Sequence, residues 1–142
     1  MDRLPNCDTR LVDFAGDVVG EDFKWGTTDC ASLVRRGLTA MMGKDVWKKH
    51  VRIWKTRRGA LTASKNMEPK HVLEASGAVE VGAKFAWSGD VAIGKNSDDH
   101  DMVQVALLLP ARKALTSTPD RGVIIVDKLS LTEGTRFWRY GG

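Results

Sequence analysis

The sequence lacks any apolar run long enough to span a membrane. Its longest, Val105 to Leu109, falls far short of the roughly 20 residues a spanning helix needs. Cysteine is equally scarce. Cys7 and Cys30 are the only two, which excludes a disulfide framework and suits both thiols to reducing conditions of synthesis. The opening stretch, "MDRLPNCDTR", carries Asp2, Pro5 and Asp8 and no apolar segment. No secretory signal is therefore expected, and synthesis is expected in the cytoplasm. No linker, low-complexity tract or repeat divides the chain; "GDV" recurs at Gly16 and Gly89 at the level of chance. The formal net charge of +4 permits an anionic partner without requiring one. At 142 residues the expectation is a single domain over residues 1–142, large enough to bury a core.

What the sequence does have is a change of periodicity near its middle. Residues 29–42 carry the clearest helical pattern. Cys30, Leu33, Val34, Leu38 and Met41 repeat at three-and-four spacing on one face with Gly37, while Arg35 and Arg36 point the other way. Asp29, Thr27 or Thr28 can cap the free amides at its start, and Gly43 can end it. A second amphipathic helix is predicted from Asp45 to about Lys55, with Trp47, Val51 and Trp54 inward. A short third covers Glu68 to Ser76, with Pro69 tolerated in its first turn. Farther on, "SGDVAIG" (88–94), "MVQVALLL" (102–109) and "GVIIVDKL" (122–129) are short β-branched or apolar runs bounded by Gly, Pro and Asp, which predicts strands. Helices over about residues 10–76, then a sheet over about 78–140, predict an α+β fold.

Cys30 falls in the first turn of the clearest helix, on its core-facing side. Two readings stay open there, a small core residue or a nucleophile. The helix terminus favours a thiolate by about 1 kcal/mol, somewhat under one pKa unit from about 8.5. Asp29, next door, opposes that gain. A thiol that cleaves amides also needs an imidazole beside it, to stabilise the thiolate and to protonate the leaving amine.

Around this cysteine a resemblance emerges. "FKWGTTDCASLV" (23–34) resembles the nucleophile motif of NlpC-type cell-wall peptidases, papain-like enzymes with an aromatic-Trp-Gly stretch followed by Asp-Cys and a helix. "GDVAIG" is similar to the Gly-Asp strand that follows in that family, and the closing strands with "FWRY" look like a phage and prophage branch of small tail-associated relatives. The resemblance runs from about Leu11 to Tyr140. It implies a papain-like NlpC-type fold, with N-terminal helices packed on a C-terminal antiparallel sheet. It also implies a Cys–His hydrolase of peptidoglycan stem peptides with Cys30, beside Asp29, as nucleophile. Other phage tail proteins and peptidoglycan are the partners implied, and the virion tail is the location.

The family's histidine opens the strand after Gly-Asp, and its third polar residue follows about a dozen positions on. Those places fall at Gln104, in "QVALLL", and at Thr116, in "ALTS". A glutamine donates and accepts hydrogen bonds but shuttles no proton. His100, in the turn "NSDDHDM", is the alternative base, with Asp98, Asp99 or Asp101 to orient it. It lies about 13 Å before Gln104 along an extended strand, so a bulge or bent loop is needed to bring it to Cys30. His50 and His71 read as surface groups among basic residues, and Cys7 as structural, in a Pro-Asn-Cys-Asp turn.

The remaining clusters receive bland readings. The acids around His100 read as a solvated turn rather than a metal site, and no cofactor is implied. The basic stretch from Lys44 to Arg58 interleaves Trp47 and Trp54 in the manner of a nucleic-acid surface. Yet both tryptophans fit the buried stripe, which leaves a solvated face, then an acidic protein or anionic wall polymer, ahead of nucleic acid. Trp87 and Trp138 fall near strand ends, where burial is the more common fate. Two functions follow. One is a phage tail-associated peptidase that opens peptidoglycan, with backbone amides at Cys30 in its oxyanion site. The other is a tail or tail-tip component that retains the fold without the chemistry.

Overall fold

The helix-to-sheet change in periodicity is what the chain does. The computed structural model describes residues 2–131 and 133–141. Among these, four helices come first: α1 (Cys7–Val18), α2 (Cys30–Met42), α3 (Arg57–Asn66) and α4 (Pro69–Ala75). Strands follow: β1 (Val79–Val81), β2 (Val91–Lys95), β3 (Val103–Leu109), β4 (Lys113–Thr118), β5 (Gly122–Asp127) and β6 (Arg136–Arg139). They form one antiparallel sheet in the order β1-β6-β2-β3-β4-β5. The α+β architecture is the one expected.

The alternation of side chains divides the sheet into two faces. Val91, Val105, Leu107, Leu115 and Trp138 join Leu11 of α1 and Leu33, Val34, Leu38 and Met41 of α2 in the main core. Ala92, Ala106, Leu108, Ala114 and Phe137 form a smaller cluster on the other face. Gly37 sets how closely α2 approaches the sheet, since a Cβ there would lie 2.4 Å from a Leu107 methyl. At its ends α2 is as predicted: Asp29 caps it by accepting from Ser32 N, and Gly43 ends it at φ 77°.

Three local expectations are corrected. Cys7 lies not in the turn but at the first position of α1, after Asn6 in the left-handed region at φ 61°. Leu11, Ala15 and Val18, spaced four and three apart, give α1 its buried face. The helix expected from Asp45 to Lys55 is absent. Residues 46–50 form turns, 51–54 carry no helix, and a helix begins only at Arg57. Lys48 and Arg52 would stack at i, i+4 in such a helix and repel. Asp45 is drawn instead into a bidentate pair with Arg35, which holds its carboxyl below the usual range, and its Oδ1 accepts from Trp47 N. The inward tryptophans are anchored separately, Trp47 Nε1 donating to Tyr140 OH and Trp54 Nε1 to Asp29. The strand expected at "SGDVAIG" is β2, which begins only at Val91. Gly89 turns the chain at φ 87°, where a Cβ would meet Arg3 Nη1 at 2.5 Å. Asp90 then accepts from Arg3, Arg139 and Trp87 N.

Candidate active site

The loop before α2 is wound tightly enough to aim Cys30. The Lys24 carbonyl accepts from the amides of Thr27, Thr28 and Asp29, and Thr28 Oγ1 bridges Lys24 N and the Asp22 carbonyl. The Asp29 carboxylate, almost fully buried, gathers four donors. Oδ1 takes Ser32 N at 3.0 Å, and Oδ2 takes Gly26 N at 2.6 Å, Ser32 Oγ at 2.7 Å and Trp54 Nε1 at 3.0 Å. Asp29 therefore orients the loop and the start of the helix. None of its bonds reaches the sulfur.

Cys30 itself packs half-buried against the core and against the backbone of β3. Its Sγ accepts from Val105 N at 3.4 Å and donates toward the Val103 carbonyl at 4.0 Å, straddling Gln104. Burial pushes the Cys30 thiol up to about 12, and the Asp29 charge adds to the rise; the Val105, Ala31 and Cys30 amides oppose both. The thiolate fraction at neutral pH is on the order of 10⁻⁵. The resting sulfur is a neutral thiol.

Gln104 and Thr116, on neighbouring strands, meet beside it. Gln104 Nε2 donates to Thr116 Oγ1 at 2.6 Å and to the Ser117 carbonyl at 3.0 Å, and Thr116 Oγ1 donates to the Val105 carbonyl at 2.8 Å. The places where the resemblance put a base and its orienting group are thus bonded to each other, while the Cys30 sulfur contacts the backbone on either side of Gln104. They are held by an amide and a hydroxyl, and neither titrates. The Gln104 Oε1 has no partner among the described residues.

A cleft of about 740 Å³ opens above these groups, walled by Trp25, Trp54, Met67 and Val72, with Cys30, Gln104 and Ser117 at its polar end. Ser117 is the residue that sequence reasoning missed on this side. It is 1% exposed and its Oγ is, among the described residues, a buried polar atom with no hydrogen-bond partner. The sequence held no signal for it, since a serine in "ALTSTP" reads as strand or turn alike. His50 was also missed. It was read as a surface group, yet it is half-buried and lines the cleft, carried there by the turns of residues 46–50.

His100 is exposed and is not among the residues that line the cleft, and among the described residues no hydrogen bond joins it to the sulfur. The acids expected to orient it are engaged elsewhere. Arg57 takes Asp99 at 2.9 and 3.0 Å and Asp101 at 3.1 Å. Asp98 lines the cleft rim. Among the described residues no three His, Cys, Asp or Glu side chains are grouped to hold a metal ion, and no helix is long and apolar enough to cross a membrane.

Helices packed on one face of an antiparallel sheet, with a cysteine at the start of the central helix facing the third strand, define a papain-like fold of the NlpC/p60 kind. The crystal structure of the NlpC/p60 domain of peptidoglycan hydrolase SagA has this fold. It superposes with a TM-score of 0.58 at 17% identity, covering 96% of this chain and 99% of that one. By sequence, residues 2–140 match the family described as "Domain of unknown function (DUF6950)", and the chain belongs to that family. No curated protein sequence matches it.

Proposed function

We propose that this chain is a bacteriophage tail-associated protein whose NlpC/p60-like domain faces peptidoglycan and takes wall peptides in the Cys30 cleft. The observation that carries the reading is a peptide-sized cleft lined by Cys30 and Gln104, with the Cys30 sulfur held on the β3 backbone at Val105 N and Gln104 bonded to Thr116. The structural likeness to a domain of a peptidoglycan hydrolase supports the wall as target. The closing strands and "FWRY", which resemble tail-associated relatives, support the virion as location. Because Cys30 is a neutral thiol and the position that resembles the family's base holds a non-titrating amide, the reading is one of binding. Tail or tail-tip assembly and docking to the wall are its work, rather than Cys–His cleavage.

A second reading, hydrolysis of stem peptides by Cys30, is favoured by His50, which lines the same cleft. Purified sacculi separate the two. Under the binding reading the wild-type protein sediments with sacculi and releases no muropeptides, and neither Cys30→Ala nor His100→Ala changes that. Release by the wild type that disappears in Cys30→Ala and in His50→Ala would establish the hydrolase. Absence of both binding and release would remove peptidoglycan from the account, and absence of the protein from purified particles would remove the tail.

A further inference from the structure

The sheet face turned away from α2 carries a second groove, of about 1230 Å³, running over Leu108 and Phe137 and bordered by the 3₁₀ turns at Ala83–Phe85 and Lys128–Ser130. Phe85, Trp87 and Leu129 stand on it 73%, 61% and 90% exposed. Single exposed apolar side chains are ordinary, but three lining one groove form a patch of the kind that meets a partner.

The charge around this groove is net cationic: six Lys and Arg side chains line it against Asp8 and Glu133. Arg3 and Arg139 share the single Asp90 carboxylate, and Lys113 pairs with Asp127. Lys84 and Arg112 have no acidic partner among the described residues. Lys128 Nζ donates to the carbonyls of Ala83 and Ala86 and lies over the Phe137 ring, and it too has no acidic partner among the described residues. Arg112 is presented at the tip of the β3–β4 hairpin, where Ala111 and Arg112 both adopt positive φ, 63° and 57°. Each such residue costs about 1–2 kcal/mol relative to ordinary backbone.

A surface of opposite character lies on α1. The helix exposes Asp8, Asp13 and Asp17 against the single cation Arg10, with Val12 and Val19 exposed among them. Asp13 and Asp17 have no cationic partner among the described residues. Between them sits Gly16, in mid-helix, where glycine costs about 1 kcal/mol relative to alanine. A Cβ at Gly16 would meet nothing within 4 Å, so packing inside the chain gives no reason for a glycine there. A glycine on an open helix face lets a second backbone or aromatic ring approach closely.

We propose that α1 of one copy docks into the groove of the next, with Val12 and Val19 against Phe85, Trp87 and Leu129, and Asp13 and Asp17 against Lys84 and Arg112. Two different surfaces are joined, so the contact is heterologous. Each added copy leaves one surface of each kind open, which builds a ring or a filament rather than closing a two-fold dimer. Neither the groove nor the exposed face of α1 includes a residue that lines the Cys30 cleft, so the proposal stands whether or not that cleft binds peptidoglycan.

Sedimentation velocity across a range of protein concentrations tests it. The wild type is expected to rise above monomer mass with concentration at low salt and to fall back at high salt, which screens the acid–base contacts. Asp13→Lys with Gly16→Gln disables the helix side and raises helix propensity at an open position, so the fold is retained. Lys84→Glu with Trp87→Ser disables the groove side at exposed positions. Each double variant alone is expected to associate about tenfold more weakly or worse, a loss of about 1.4 kcal/mol or more. Mixed in equal amounts they are expected to form a 1:1 dimer and nothing larger, because each retains one working surface. A wild type that stays monomeric throughout, wild-type-like association by both variants, or a mixture that remains monomeric would each overturn the proposal.

Discussion

At Cys30 two effects of opposite sign act on one atom: the amides at the start of α2 and on β3 draw the sulfur toward the thiolate, while removal from water and the Asp29 charge keep its proton on. A helix terminus supplies about 1 kcal/mol at best, and burial exceeds it, which is why the thiol lies at about 12. Alkylation by iodoacetamide is therefore expected to speed up about tenfold per pH unit from neutral to about pH 10 without a plateau. A plateau near neutral pH would mean that a cation stands beside the sulfur. The same shift couples to stability. A thiol whose folded pKa exceeds its unfolded value contributes fully below the unfolded value and loses that contribution as pH rises toward the folded one. The wild type is thus expected to lose stability relative to Cys30→Ala between about pH 9 and pH 12, a difference read from urea midpoints at each pH. Asp29 presents the complementary case. Asp29→Ala orphans Trp54 Nε1 and the amides of Gly26 and Ser32, and is expected to cost about 2–4 kcal/mol in urea unfolding.

At the scale of elements, the cleft depends on two irregular segments held to each other, residues 23–29 and 51–54. Gly26 makes the contact. Its φ is 86°, and a Cβ there would lie 1.9 Å from the Trp54 carbonyl oxygen. Gly26→Ala is expected to destabilise the protein by about 2–3 kcal/mol and to raise hydrogen exchange selectively in residues 51–54, where the wall would swing out. Uniform loss of protection instead would mean that the segment has no separate hinge. This pairing also marks the boundary of what was legible in the sequence. The Asp29 cap, the Leu33-to-Met41 stripe and Gly43 are local signals, and α2 follows from them. The stripe Trp47–Val51–Trp54 has the same periodicity, yet its tryptophans are claimed by Tyr140 and Asp29, far away in sequence. Spacing cannot report such partners. Gln104 and Thr116 were placed by resemblance, and their strands bring them together. His100 was offered as the alternative base from the turn before Gln104, and Arg57, at the start of α3, takes two of the acids expected to orient it.

The whole molecule is closed by its two ends meeting on one buried carboxylate. Asp90, fully buried just before β2, holds Arg3 from the N-terminal segment at 3.2 Å and Arg139 of β6 at 3.0 and 2.9 Å, and Arg3 also donates to the Tyr140 carbonyl. The Gly-Asp pair thereby serves as a clasp, Gly89 making room for the guanidinium and Asp90 neutralising it. The two contacts differ in strength. Arg139 engages both carboxylate oxygens, a fork geometry stronger than the single bond from Arg3. Arg3→Leu is accordingly expected to cost only about 1 kcal/mol and to loosen the N-terminal segment while β6 stays paired with β2. Asp90→Asn leaves both cations without a counter-charge in a largely buried setting, and is expected to cost about 3 kcal/mol or more. If the clasp joins the ends as one unit, Asp90→Asn combined with Arg3→Leu will cost less than the sum of the two, since the second change removes a cation that the first had stranded. Strict additivity in urea unfolding would mean that Arg3 is held by the Ser88 and Tyr140 carbonyls alone, and that the ends of the chain are fastened independently.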